Sequence, residues 1–156
     1  MSITLTDLVA PNAIIPALRV NNKKQAIQEL AARAAELSGQ NERAILEILL
    51  QREKLGSTAV GNGVAIPHGK LPKLGRLFGL LARLEKPIDF EALDEQPVDL
   101  IFLLLAPEAA GADHLKALAR VARLLRDPEN ARRLRESRDA DALYALLAMP
   151  PASSAA

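Results

Sequence analysis

The chain has 156 residues, with 20 Lys and Arg against 19 Asp and Glu, no cysteine and a formal net charge of +1. That length suits one domain with its own hydrophobic core, and at 49% hydrophobic but only 3% aromatic residues the core must be aliphatic. Disulfide frameworks and thiolate metal sites are excluded, no global field attracts nucleic acid or an anionic membrane, and no apolar run reaches spanning length.

After a short stretch ending near Pro11, Ile14-Ile15-Pro16-Ala17-Leu18 reads as an edge strand, where proline is tolerated. The first residues lack the basic and long apolar segments of a signal peptide, so a cytosolic setting is expected. Asn21 or Asn22 can cap a helix from about Lys23 to Ser38. Its Ala26, Ile27, Leu30, Ala31, Ala34 and Leu37 recur at helical spacing, and Gly39 supplies the stop. Asn41 caps a second helix carrying Ile45, Ile48, Leu49 and Leu55 on one face, closed by Gly56. Arg52 and Glu53 fall in its last turns.

The pattern then changes. Ser57 to Val60 and Val64 to Ile66 flank Gly61-Asn62-Gly63, a tight-turn signal between short strands. Leu77 to Leu84 and Val98 to Leu105 are further strands, joined by Pro87 to Gln96. The second is nearly continuous in apolar residues, as in a central strand covered on both faces. From Asp113 the chain is helical again, with Leu115, Leu118, Ala119, Ala122 and Leu125 as its apolar stripe. Asp127-Pro128 ends that helix and starts another, since proline suits the first helical position. A last helix spans Ala140 to Leu147, and residues 149–156 are expected to form a flexible tail. The class is α/β: one domain over residues 1–148, a mixed β-sheet with helices packed on both faces.

Only two histidines occur, His68 and His114, and His68 lies in Ile66-Pro67-His68-Gly69-Lys70 directly after the expected hairpin. An imidazole that accepts phosphate needs one nitrogen unprotonated and exposed, with the ring held through the other. It also needs donors around the incoming oxygens, because such transfer is mostly positioning and electrostatics. Pro67 restricts the backbone before the ring, and Gly69 allows close approach to the backbone. The amides of Gly69 and Lys70 and the hydroxyls of Ser57 and Thr58 are the candidate oxygen donors. On residue chemistry alone, a lone histidine beside a loop such as His68 is usually just a partly exposed polar residue, and the glycines are ordinary hairpin geometry.

Nucleotide motifs fail on spacing. Five residues separate Gly63 from Gly69, and Leu71 follows Lys70, so there is no Walker loop; Ile66 stands where the third glycine of a dinucleotide fingerprint belongs. Two histidines without cysteine make a poor zinc site. Arg120, Arg123, Arg126, Arg132, Arg133, Arg135 and Arg138 are interspersed with acids, with few aromatics for stacking, and read as a solvated helical surface rather than a nucleic-acid site.

The run from Arg52 to Leu71, Arg-Glu-Lys-Leu-Gly-Ser-Thr-Ala-Val-Gly-Asn-Gly-Val-Ala-Ile-Pro-His-Gly-Lys-Leu, resembles the active-site segment of enzyme IIA proteins of the phosphoenolpyruvate-dependent phosphotransferase system. The branch is the fructose/mannitol class, nitrogen-regulatory type. Pro87-Ile88-Asp89-Phe90, Gln96-Pro97-Val98-Asp99-Leu100 and the stretch from Pro107 to Leu115 match in order and spacing, so the likeness covers about Leu5 to Leu147. Ala59 stands where many members carry glycine, a departure that leaves the chemistry untouched.

The resemblance implies a type 2 enzyme IIA domain with His68 as the phosphorylated histidine and Nε2 as the bearing atom. His114 corresponds to a second histidine near the site, donating to phosphate or orienting His68. Arg52 corresponds to an arginine lining it. Read without the resemblance, His114 is a polar residue at a helix start, and Arg52 a helix-end charge complementing the dipole. The implied donor is an HPr-like phosphohistidine protein, with neither cofactor nor metal, and the chain is a phosphotransfer component rather than a stand-alone turnover enzyme. Leu5-Thr6-Asp7-Leu8-Val9 looks like the nitrogen type, and no IIB or membrane domain is fused within these residues. Both favour nitrogen- or potassium-type regulation of target proteins over passing phosphate to the IIB domain of a fructose or mannitol permease. A binding module that has lost phosphotransfer is the reading from another class.

Overall fold

A computed structural model describes residues 5–148. After a short 3₁₀ turn at Leu5–Asp7 come β1 (Ile14–Leu18), α1 (Lys23–Ser38) and α2 (Glu42–Lys54). The middle of the chain forms β2 (Ala59–Gly61), β3 (Val64–Ala65), β4 (His68–Leu71), β5 (Phe78–Ile88) and β6 (Val98–Pro107). Three helices follow: α3 (Ala112–Arg126), α4 (Pro128–Glu136) and α5 (Ala140–Ala148). The expected tail over residues 149–156 lies outside the described residues.

The helix boundaries follow from local chemistry. The Asn22 side chain accepts from the Gln25 amide and Gly39 takes the left-handed conformation at φ 75°, so both ends of α1 are capped as the residue types dictate. Asn41 caps α2 by accepting from the Ala44 amide. Asp127 caps α4 through the Glu129 and Asn130 amides, with Pro128 in the first turn.

The six strands form one mixed sheet in the order β1-β5-β6-β3-β2, with β4 also paired to β6. β1 is the expected edge strand and runs parallel to β5; β5 and β6 are antiparallel. Leu100 to Ala106 of β6 are fully buried, as expected of a central strand. Both β3 and β4 run parallel to β6 along one side of it, Val64 opposite Leu100 and His68 opposite Leu104. Ile66 and Pro67 interrupt them, and proline has no amide to give the ladder.

Helices cover both faces. A Cβ added at Gly69 would overlap Ile48 Cγ2, so α2 packs on the face of β4 toward which Gly69 is turned. The neighbouring residue His68 points to the opposite face, where its ring meets His114 of α3. α1 packs on α2, while α4 joins α3 to α5, which lies against β1.

Several expectations are corrected. Leu55 is 85% exposed rather than part of the buried face of α2, because the helix has ended and Leu55 has become its C-cap. On α3, Leu115 is 67% exposed; the buried positions are His114, Ala117, Val121 and Leu125, a face rotated from the apolar stripe. β5 continues through Pro87 to Ile88, and β4 is a strand that residue preferences do not announce.

Candidate functional site

His68 opens β4, a strand of four residues containing glycine and lysine, poor β-formers held in extended form by the free side of β6. Its Nδ1 lies 2.8 Å from the Ile66 carbonyl oxygen. A carbonyl only accepts, so Nδ1 carries the proton, and in the neutral ring Nε2 keeps a free lone pair. Pro67 sets this geometry: it biases Ile66 toward an extended backbone and fixes its own φ, aiming the carbonyl at the ring two residues on. The ring is half-buried, held on one side and reachable on the other.

His114, in the first turn of α3, presents the second ring. The centroids are 5.9 Å apart with planes inclined at 66°. His114 is only 7% exposed, and its Nε2 is buried without a hydrogen-bond partner among the described residues. An unmade bond of this kind costs about 1–3 kcal/mol. Burial, then the nearby charges of His68 and Lys70, hold its pKa below the ordinary 6.5. His114 is therefore neutral at pH 7.

This has a consequence for stability. Below the ordinary value the unfolded chain takes up a proton at position 114 that the folded chain refuses, so stability is full above about pH 6.5 and falls as pH drops through the lower folded value. Urea midpoints compared at about pH 7.5 and 5.5 should show this slope, and His114→Leu should flatten it. An unchanged slope would mean that position 114 does not titrate differently in the two states.

The other expected site residues are distributed as follows. Lys70 is exposed on the same face of β4 as His68 and contributes to the charge felt by His114. The Leu104 amide donates to the Pro67 carbonyl at 2.9 Å, which sets the parallel register. In that register the Gly69 amide turns toward β6, and the Lys70 amide turns to the side where β4 has no paired strand. The open side of Gly69 is filled from within the chain by Ile48. Arg52 lies one turn beyond Ile48 and donates through Nη1 to the Gly56 carbonyl at 2.9 Å, bracing the end of α2.

Each of the two hydroxyls has one hydrogen, and both are engaged. Ser57 Oγ donates to the Phe90 carbonyl at 2.6 Å and accepts from the Ala59 amide. Thr58, 4% exposed, donates through Oγ1 to Glu53 Oε2, while its amide donates to Glu53 Oε1 at 3.0 Å. Glu53 also pairs with Lys23 Nζ at 3.0 Å. The one sign of this role for Glu53 in the sequence is its place at a helix end, five residues before Thr58.

The hairpin turn is clamped from two sides. Asn62, at φ 55°, donates its amide to Asp94 at 2.9 Å. Arg135 of α4 donates to the Asn62 carbonyl at 2.6 Å and through Nε to both carboxylate oxygens of Asp99, at 2.8 and 3.0 Å. Gly63 is needed here: its φ is +80°, and a Cβ would lie 2.6 Å from Arg135 Nη2. Arg135 is thus a half-buried clamp rather than part of a solvated surface, whereas Arg132 and Arg133 make the expected exposed pairs with Glu129.

Fold and site together define a small α/β domain built around one tautomer-fixed imidazole on an outer strand, with a second, neutral imidazole beside it. Residues 7–149 match the family model described as "Phosphoenolpyruvate-dependent sugar phosphotransferase system, EIIA 2", and the chain belongs to that family. A nitrogen regulatory protein of Bradyrhizobium diazoefficiens is 75% identical over 151 residues, 97% of this chain and 99% of that one. The crystal structure of nitrogen regulatory protein IIA-Ntr from Neisseria meningitidis superposes with a TM-score of 0.87 at 33% identity, covering 92% of this chain and 98% of that one. The IIA mannitol structure from Escherichia coli shares the fold, with a TM-score of 0.75 at 21% identity over 87% of this chain and 96% of that one. Among the described residues no helix is long and apolar enough to cross a membrane.

Proposed function

We propose that this chain is a regulatory phosphocarrier of the nitrogen or potassium type. His68 Nε2 takes a phosphoryl group from the phosphohistidine of an HPr-like protein, and target proteins then bind according to phosphorylation state. The observation that carries the reading is the bond from His68 Nδ1 to the Ile66 carbonyl, which leaves Nε2 as the nucleophile.

In the step, the Nε2 lone pair forms the new P–N bond as the P–N bond to the donor imidazole breaks. No proton has to leave His68, and Nδ1–H stays on the Ile66 carbonyl. One phosphohistidine replaces another, so the transfer lies near balance and runs both ways. The Lys70 amide and ammonium face the incoming oxygens, and His114, held neutral, donates from its otherwise unpartnered side. Arg52 adds positive charge at the end of α2. Ser57 and Thr58 shape the wall rather than donate, since their hydrogens are spent within the chain. The product adds about −1.5 to −2 of charge, by analogy with other phosphorylated side chains, enough to change which surfaces fit. This reading puts the chain in the cytoplasm.

Phosphopeptide mapping after incubation with a phosphorylated HPr-like donor tests the proposal. The label is expected on the peptide containing His68; label elsewhere, or none, would sink it. Capture of partners with each form separates the branches: regulatory proteins are expected to bind one form selectively. Onward transfer to a IIB domain as the principal outcome would instead assign the chain to sugar transport.

A further inference from the structure

The imidazole of His68 is the end of a hydrogen-bonded series that begins at a buried carboxylate. Glu53, on the last turn of α2, has a side chain only 6% exposed and is paired with Lys23 Nζ at 3.0 Å. Lys23 reaches Glu91 at 2.9 Å as well and lies 4.8 Å above the Phe90 ring, so the ammonium is itself held. Burial pulls the Lys23 pKa down, but the bonds to Glu91 and Glu53 outweigh it, and the net direction is upward. Lys23 stays charged, and its ammonium faces the Glu53 carboxylate.

Both Glu53 oxygens accept from one residue: Thr58 Oγ1 to Oε2, and the Thr58 amide to Oε1 at 3.0 Å. The Thr58 carbonyl accepts the Ile66 amide at 3.0 Å. The Ile66 carbonyl accepts His68 Nδ1–H at 2.8 Å. Each link is a donor facing an acceptor, and the series crosses the backbone at the Cα atoms of Thr58 and Ile66, so what it passes on is position. Ile66 lies outside the regular ladders of β3 and β4, so its carbonyl is set by Pro67 on one side and by the bond of its own amide to Thr58 on the other.

We infer that Glu53 is a positioning residue for phosphotransfer: through Thr58 and Ile66 it holds the carbonyl that selects the Nδ1–H form of His68 and so keeps Nε2 free. No proton moves along the series. Its effect is on where the Ile66 carbonyl sits. The inference rests on His68 being the phosphate acceptor, but the state of the ring can be read without any transfer.

The experiment records ¹⁵N shifts of the His68 ring across pH in the full chain, together with the rate of labelling by a phosphorylated HPr-like donor. The parent should show one dominant neutral form protonated at Nδ1. Glu53→Gln should show a mixture of the two neutral forms and label about 10- to 100-fold more slowly, the scale seen when a group behind a functional imidazole is removed. Thr58→Val keeps the volume and the amide but loses the hydroxyl, and should move both readouts part of the way. Thr58→Ser restores the hydroxyl and should return both to the parent. Folded variants at both positions that keep the parent's ring pattern overturn the inference. Should Glu53→Gln fail to fold, the Thr58→Val and Thr58→Ser pair decides alone. Labelling that persists in His68→Ala would refute the acceptor assignment, while the ring spectra would still report on Glu53.

Discussion

His68→Ala should carry no label above background after exposure to a phosphorylated HPr-like donor, a fall of more than about 10³-fold. The expectation is this large because the described structure offers no second imidazole in the same state. His114 is buried, and as the donor in the proposed step its Nε2 carries the proton and has no lone pair with which to attack. The fold should survive the change. His68 is half-buried, and what is lost inside the chain is its bond to the Ile66 carbonyl, worth about 1 kcal/mol. Circular dichroism and a melting curve close to the parent's would therefore accompany the loss of label. His68→Gln is the sharper version, since it keeps a polar group near the carbonyl but has no nucleophilic nitrogen. Retained labelling in either variant would move the chemistry to another residue.

Gly69→Ala is expected to lose about 1–3 kcal/mol of unfolding free energy, the usual range for an extra carbon forced into a packed site. For a domain of this size that lowers the melting temperature by roughly 2–4 °C per kcal/mol. The cause is specific: the new Cβ would overlap Ile48 Cγ2, because α2 lies directly on the backbone of β4. Ile48→Ala removes the obstructing group, so the double variant should be more stable than the two single losses predict when added. Labelling should slow in Gly69→Ala as well. Pushing β4 away from α2 shifts His68, whose side chain leaves the same strand on the other face. A melting curve for Gly69→Ala that matches the parent, or strict additivity with Ile48→Ala, would show that α2 yields easily at this point.

Much of the domain is legible residue by residue. Both ends of α1 and the starts of α2 and α4 are written in residues that cap their own backbone, Asn22, Asn41 and Asp127, with Gly39 as a stop. Such interactions span a few residues and need no tertiary partner. The tight turn at Gly61-Asn62-Gly63 is local in the same way: all three residues have positive φ, which glycine and asparagine tolerate. The Arg52 to Leu71 motif likewise points to His68 before any coordinate is known.

Other features depend on contacts far along the chain. His-Gly-Lys-Leu has neither alternation nor β preference, and it is a strand because β6 offers it an unpaired side. The buried face of α3 includes a histidine, and counting apolar residues rotates the expected face onto Leu115, which is left exposed. Leu55 reads as core until the helix ends beneath it.

The sequence by itself determined the helix caps, the turn and the aliphatic central strand, since each depends on groups within a few residues. Tertiary structure alone decided that α3 would bring His114 beside His68. It also set Arg135, remote in sequence, onto the turn, and placed a buried glutamate behind Thr58. Pairings of that kind arise only when separate elements pack, and no local preference encodes which side chains then meet.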